Sequence, residues 1–297
     1  MHDVIDSPGA LTADLQARLD VEFPGRSLVF QEGRLSIREA GFAAADRPTV
    51  VLLHGIGSGA PSWLEVASRL GRLAHVIAWD APGYGDSTPL AQSAPRAEDY
   101  ASCLLKMLDA LGIQRCVLVG HSLGALTATA FASSAHGGRV ARLVLISPAQ
   151  GYGAIGREAR KAEVRAQRLA NLERLGLKEM ARLRSPHMLS PGATAEQRAW
   201  VQWNMGRLNS HGYRQAIELL CGDDILRHPP LAVPCEVHVG EADGITAPAN
   251  CAAIAQALGC DCFTIPEAGH ASPIEQPQRV AGLLASAARF SLTGSAQ

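Results

Sequence analysis

A surplus of positive charge is missing from this 297-residue sequence, in which 27 Lys and Arg stand against 28 Asp and Glu for a formal net charge of -1. No global field attracts a phosphate backbone, and neither a zinc-finger spacing nor a long basic arm is present, so nucleic-acid binding is not expected. Apolar runs long enough to span a bilayer are also lacking. The first twenty residues carry Asp3, Asp6 and Asp14 without the basic-then-apolar order of a secretion signal. The expectation is a soluble, cytoplasmic chain without stable membrane association. Seven cysteines make an odd number and sit mostly in apolar segments, where they read as small buried hydrophobes. Cys260 and Cys262 look like half of a metal site but bring no converging ligands, so no metal is expected.

What is present is a loop-rich globular composition: 47% hydrophobic and 19% charged, with 29 glycines and 17 prolines spread along the chain. Short apolar runs at Thr49 to Leu53, His75 to Trp79, Cys116 to Val119, Arg142 to Ile146, Cys235 to Val239 and Cys262 to Ile265 read as strands. Near-continuous apolar character suits parallel strands covered on both sides. Ser27 to Gln31 and Leu35 to Glu39, around Glu32-Gly33, read as an antiparallel hairpin. Helical patterns at Ser62 to Leu70, Glu98 to Leu111, Ser122 to Ser134, Ala249 to Leu258 and Gln278 to Arg289 alternate with the strands. The alternation predicts one twisted sheet between two helical layers.

That rhythm breaks after Ser147-Pro148, and a helical stretch from about Gly156 to Leu220 reads as an inserted cap. The expected division is a core over 1–148, a helical cap over 149–230 and the rest of the core over 231–297. Arg157 to Arg184 hold nine Lys or Arg against four Glu. Most of this excess reads as a solvated helix face, although an Arg turned inward would meet a substrate carboxylate. Trp200 and Trp203, three apart on one helical face, either pack the cap or line a pocket.

Gly120-His121-Ser122-Leu123-Gly124 lies between an apolar strand and a helical pattern. In that context Ser122 occupies a sharp turn, with glycines letting neighbouring backbone approach. A serine hydroxyl is a poor nucleophile, so attack requires a base within reach and a third group fixing the base. His270, beyond the last strand, is the candidate base. Asp243, in the loop after Cys235 to Val239, is the candidate acid, with Glu241 as a local competitor. Asp80 reads instead as organising the turn Asp80-Ala81-Pro82-Gly83. Backbone N–H groups of Leu123 and Ile56, with Gly57 as the alternative to Ile56, are the candidate oxyanion donors. The glycine-rich stretch from His54 to Gly59 lacks the Lys of a phosphate-binding loop.

From His54-Gly55 through the Ser122 pentapeptide to Asp243 and His270, the chain resembles the α/β-hydrolase fold superfamily over nearly its full length. The resemblance implies an α/β-hydrolase fold with an eight-stranded, mostly parallel sheet, helices on both faces and an inserted helical cap. It is closest to small-molecule esterases, 3-oxoadipate enol-lactonases and meta-cleavage-product hydrolases. In the last group an aromatic residue usually follows the histidine, where this chain has Ala271, taken here as a further pocket residue.

These features point to hydrolysis of a small carboxylic ester or lactone by water through an acyl-serine intermediate, with no cofactor. Carbon–carbon hydrolysis of a diketone is the enzymatic alternative. A slow or non-catalytic ligand-binding protein on the same scaffold is the alternative from another class, separated by a multiple-turnover assay. The sequence leaves a homo-oligomer open.

Overall fold

The structure, a computed structural model, describes residues 8–228 and 230–293. The chain begins with helix α1 (Pro8–Glu22), strands β1 (Gly25–Phe30), β2 (Gly33–Ala40) and β3 (Thr49–Leu53), then α2 (Leu64–Leu70) and β4 (His75–Trp79). Next come α3 (Ala97–Ala110), β5 (Cys116–His121), α4 (Gly124–Ala132) and β6 (Val140–Ile146). Three long helices follow: α5 (Glu158–Arg184), α6 (Ala195–Gly206) and α7 (Ser210–Gly222). The chain ends with β7 (Cys235–Gly240), α8 (Pro248–Leu258), β8 (Asp261–Ile265), α9 (Ser272–Glu275) and α10 (Pro277–Thr293). Helix α1 is absent from the elements expected from the sequence. Its buried stripe is narrow, with Leu15 and Leu19 continuing to Phe23, so its periodicity is weak against mixed neighbours.

The continuous apolar runs make sense once the sheet is seen to separate two cores. Along β3, Val51 and Leu53 enter one core while Val50 and Leu52 enter the other, and β5 divides Leu118 from Val117 and Val119 in the same way. Successive side chains point to opposite faces, so a strand buried on both sides must be apolar at every position. Each fully buried Val or Leu contributes roughly 1.5–3 kcal/mol.

The eight strands run in the order β1-β2-β4-β3-β5-β6-β7-β8. β1 and β2 pair antiparallel, as do β2 and β4, and the remaining pairs are parallel. From β3 the chain crosses through α2, on the side of α10, to reach β4; from β5 it crosses through α4, on the side of α3, to reach β6. Strand order therefore reverses between β3 and β5. The two loops leave toward opposite faces and open a crevice at the carboxyl ends of these strands, where open α/β sheets bind ligands.

Between β6 and β7 the chain makes a helical excursion through α5, α6 and α7, whose ends meet in a bridge between Gly151 and Asp224. α5 is interrupted at Gly176, whose φ of 67° and ψ of 173° lie outside helical geometry, so a straight rod becomes two angled segments. Met180, Arg184, Met205 and Tyr213 of this excursion share a cavity with Ser122 and His270, which places the helices over the crevice. The cysteines are less buried than expected: Cys116, Cys221 and Cys251 are buried, and the other four are half-exposed, all as free thiols. No cluster of metal-ligating side chains occurs among the described residues. No described helix is long and apolar enough to cross a membrane.

Candidate active site

Ser122 sits between β5 and α4 with a left-handed φ of 53°, a conformation that costs a non-glycine residue about 1 kcal/mol or more. The helix starts at Gly124, so Ser122 belongs to the turn and not to the helix expected from Ser122 onward. Glycine on either side allows the turn to close. A Cβ at Gly120 would come within 2.7 Å of the Ala125 Cα, and one at Gly124 within 2.6 Å of the Leu53 carbonyl oxygen. The Ser122 N–H donates to the Ile146 carbonyl, and the Ser122 carbonyl accepts from Ala125 and Ala149. With its backbone held on both sides, the side-chain hydroxyl faces the crevice.

The three side chains singled out by sequence meet there. His270 Nε2 lies 2.9 Å from Ser122 Oγ, and His270 Nδ1 lies 2.9 Å from Asp243 Oδ2. Asp243 Oδ1 accepts from the Ile245 and Thr246 amides at 2.8 and 2.9 Å, while Oδ2 also accepts from the Thr246 hydroxyl at 2.9 Å. Burial alone would raise the Asp243 pKa. The bond to His270, the attraction of its charge and the Thr246 amide outweigh burial and hold this carboxyl well below the usual carboxylate range. An ionised Asp243 places the proton of neutral His270 on Nδ1 and turns the Nε2 lone pair toward Ser122. Glu241 turns away and accepts the Glu267 amide at 3.1 Å. Asp80 is engaged elsewhere; its oxygens accept from the Ala60 amide at 2.8 Å and the Ser36 hydroxyl at 3.2 Å.

Two further residues hold the histidine loop. His121 Nε2 donates to the His270 carbonyl at 2.8 Å, and burial together with the nearby charge of His270 pushes its pKa down to about 3, so it remains a neutral donor. The buried Glu275 carboxylate accepts from the Gly269 amide at 2.8 Å and the Ser190 amide at 2.6 Å, tying the histidine loop to the excursion. Neither residue carries a sequence signal for this task beyond its nearness to Ser122 or His270.

Across the crevice, the loop after β3 is braced from below. His54 Nε2 accepts the Ala81 amide at 3.0 Å, which leaves the proton on Nδ1 to donate to the Gly55 carbonyl at 2.9 Å. Burial lowers the His54 pKa against the pull of Asp80 and keeps the ring neutral. The Tyr84 hydroxyl donates to the Ile56 carbonyl at 3.0 Å. These bonds fix the peptide planes that carry the Ile56 and Gly57 N–H groups, because N–H and C=O point oppositely across a trans peptide. Among the described residues, neither these two amides nor that of Leu123 donates to a protein acceptor.

Gly55, Ile56, Gly57, Ser122, Leu123 and His270 all border a cavity of about 500 Å³ roofed by the excursion. Trp200, Trp203 and Ala271 do not border it, contrary to the pocket-lining expectation. Trp200 and Trp203 stack at 4.4 Å between ring centroids, and Trp200 enters the core on the α1 side of α6, while Met205 occupies the helix face toward the cavity. The shared face inferred for the two indoles is real, but it turns away from Ser122. Ala271, 4% exposed, donates its amide to the Met188 carbonyl and borders a separate small void with His121 and Met188.

Similar proteins agree with this architecture. The structure of an enol-lactonase from Burkholderia xenovorans LB400 superposes with a TM-score of 0.78 at 23% identity, covering 90% of this chain and 100% of that one. An esterase from Thermogutta terrifontis superposes at 0.72 and 22% identity, covering 90% and 98%. At these identities the likeness is one of fold. A 2-hydroxy-6-oxononadienedioate/2-hydroxy-6-oxononatrienedioate hydrolase from Paraburkholderia phymatum is 40% identical over 111 residues, 36% of this chain and 38% of that protein. The protein of the same name from Klebsiella pneumoniae is 34% identical over 137 residues, 45% of this chain and 44% of that one. The matches thus span less than half of these relatives. The sequence profile of the alpha/beta hydrolase family, by contrast, matches residues 50–283, most of the chain and every strand from β3 onward, and the chain belongs to that family.

Proposed function

We propose that this hydrolase cleaves a small carboxylic ester or lactone through an acyl intermediate on Ser122. The observation that carries the reading is the hydrogen-bonded series Ser122–His270–Asp243 opening into the cavity beside amides that have no protein acceptor among the described residues. His270 takes the Ser122 proton as Oγ attacks the substrate carbonyl. The Leu123 N–H and that of Ile56, or of Gly57, bind the oxyanion. His270 then protonates the departing alkoxide, and water, activated by the same histidine, releases the acid. Asp243 keeps the imidazole in the required tautomer, and residues 149–230 act as a cap over the reacting groups.

Carbon–carbon hydrolysis of a dienedioate is a second reading, favoured by the names of the relatives. It asks more of the site, since a carbon leaving group must be protonated. Ala271 lends no weight against it, because that side chain borders a different void. Measuring kcat/KM for matched aryl esters, small lactones and vinylogous diketones tests the choice. Esters or lactones are expected to lead; a diketone preferred by more than about a hundredfold, roughly 2.7 kcal/mol, puts carbon–carbon hydrolysis first.

A further inference from the structure

The arginines of the helical excursion and the segment after it differ in how their charge is met. Arg160, Arg165, Arg182, Arg214 and Arg227 each pair with a carboxylate, on Glu163, Glu218, Glu179, Glu173 and both Asp223 and Glu98, respectively. Arg168 and Arg184 border the cavity that contains Ser122 and form no ion pair among the described residues. The Arg168 guanidinium donates to the Tyr213 hydroxyl at 3.3 Å, whereas that of Arg184 has no hydrogen-bond acceptor among the described residues. The cavity wall includes no Asp or Glu; its remaining titratable side chains, apart from His270, are Arg157, His187, Tyr152 and Tyr213.

Two half-buried guanidiniums facing one space without a counter-ion are unfavourable in isolation. Burial and the repulsion of Arg168 both push the Arg184 pKa down, yet a guanidinium keeps its proton in proteins, so the cost falls on stability. A protein retains such an arrangement at low cost only if something anionic offsets it. A carboxylate is planar with two acceptor oxygens, which matches the guanidinium fork, and the Tyr213 hydroxyl is a further donor at hand. Met180, Leu183 and Leu220 line the same cavity and suit a short hydrocarbon chain beside the charge.

We infer that Arg168 and Arg184, with the Tyr213 hydroxyl, form an anion subsite, and that the substrate is an ester or lactone carrying a carboxylate. The inference rests on the reading of this cavity as the substrate site, but its binding step needs no chemistry at Ser122. It is therefore tested in the Ser122→Ala protein, by calorimetric titration with monomethyl esters of straight-chain dicarboxylic acids from succinate to suberate. Their neutral dimethyl counterparts serve as the comparison.

At least one monomethyl ester is expected to bind about tenfold or more tightly than its dimethyl partner, as a charge-assisted contact allows. Arg168→Met and Arg184→Met should each remove that preference, Arg184→Lys should restore part of it, and Arg160→Met should leave it unchanged. A methyl phosphonate analogue of the best ligand separates carboxylate recognition from general anion binding; if it binds more tightly, the carboxylate assignment fails. Thermal melting of the ligand-free proteins supplies an independent readout: Arg184→Met should raise Tm, whereas an arginine kept for structure would lower it on removal. Equal affinities throughout both ester series, no binding by any member, or a preference that survives both methionine variants overturns the subsite. None of these results depends on whether Ser122 is the nucleophile, so the two readings fail separately.

Discussion

Asp243, at the carboxyl edge of the sheet, receives hydrogen bonds from four donors: two backbone amides, the Thr246 hydroxyl and His270. Arg184, on the helical excursion that borders the cavity of Ser122 and His270, has no acceptor at all among the described residues. The series Asp243–His270–Ser122 is hydrogen-bonded within the folded chain, so its geometry exists before any ligand arrives. On the helical wall, Arg168 and Arg184 have no carboxylate partner among the described residues. The proposed function assigns the reaction geometry to one wall and the proposed subsite assigns the choice of substrate to the other, a division of labour that site-directed variants can separate.

Variants of the sheet edge should change turnover by powers of ten. Ser122→Ala is expected to lower kcat/KM by on the order of 10³–10⁶ while leaving Tm nearly unchanged, because the hydroxyl packs no core. Full turnover in a folded Ser122→Ala protein would erase the distinction between the walls. Asp243→Asn keeps the side-chain size but removes the charge that fixes the His270 tautomer, and kcat should fall on the order of 10³–10⁴. Asp80→Asn, which weakens contacts to Ala60 and Ser36, should cost stability with a far smaller change in kcat. A larger catalytic loss in folded Asp80→Asn would reassign the acid.

Much of the edge was legible because its signals are local. A G-x-S-x-G pentapeptide after an apolar strand names both a residue and a turn, and His270 and Asp243 each follow a recognisable strand. The supporting bonds are not local. His121 reaches the His270 carbonyl across 149 positions and Glu275 reaches the Ser190 amide across 85, and only the fold brings those pairs together. The helical wall was less legible for a related reason. Spacing on a helix says which side chains share a face but not which way that face turns: the indoles of Trp200 and Trp203 share one that packs away from the cavity, while Arg168 and Arg184 turn inward among many outward arginines. The hairpin and the central strands were readable from apolar runs and turn residues, whereas α1 owes its place to three buried contacts in an otherwise mixed segment.

Smaller effects sharpen the same comparison. Glu275→Gln replaces one of two acceptor oxygens with a donor facing a backbone amide, which should destabilise the fold by about 1–3 kcal/mol and lower kcat roughly tenfold through misplacement of the histidine loop. Loss of stability with unaltered kcat would show that the loop is held by His121 without it. The smallest effect belongs to a carboxylate remote from both walls. Glu39 is hydrogen-bonded to His75, a contact that with the pull of Arg26 outweighs partial burial and lowers its pKa from 4.5 to about 2. A depressed carboxylate stabilises the fold above its unfolded pKa and loses that contribution as pH falls toward its folded value. Glu39→Gln should therefore lower stability by under about 1 kcal/mol at pH 7, with the difference shrinking between pH values of about 4.5 and 2 and with kcat unchanged. A difference that grows on acidification would contradict the sign.

The most direct test of the fixed wall is the site of covalent capture. Incubating the protein with a serine-reactive aryl phosphonate, then mapping the adduct by peptide mass spectrometry, reads the nucleophile without assuming any substrate. One phosphonyl group per chain is predicted on Ser122, formed more slowly in Asp243→Asn and absent from Ser122→Ala. An adduct on another residue accompanied by loss of activity, or full activity in protein whose Ser122 is quantitatively modified, would contradict the account.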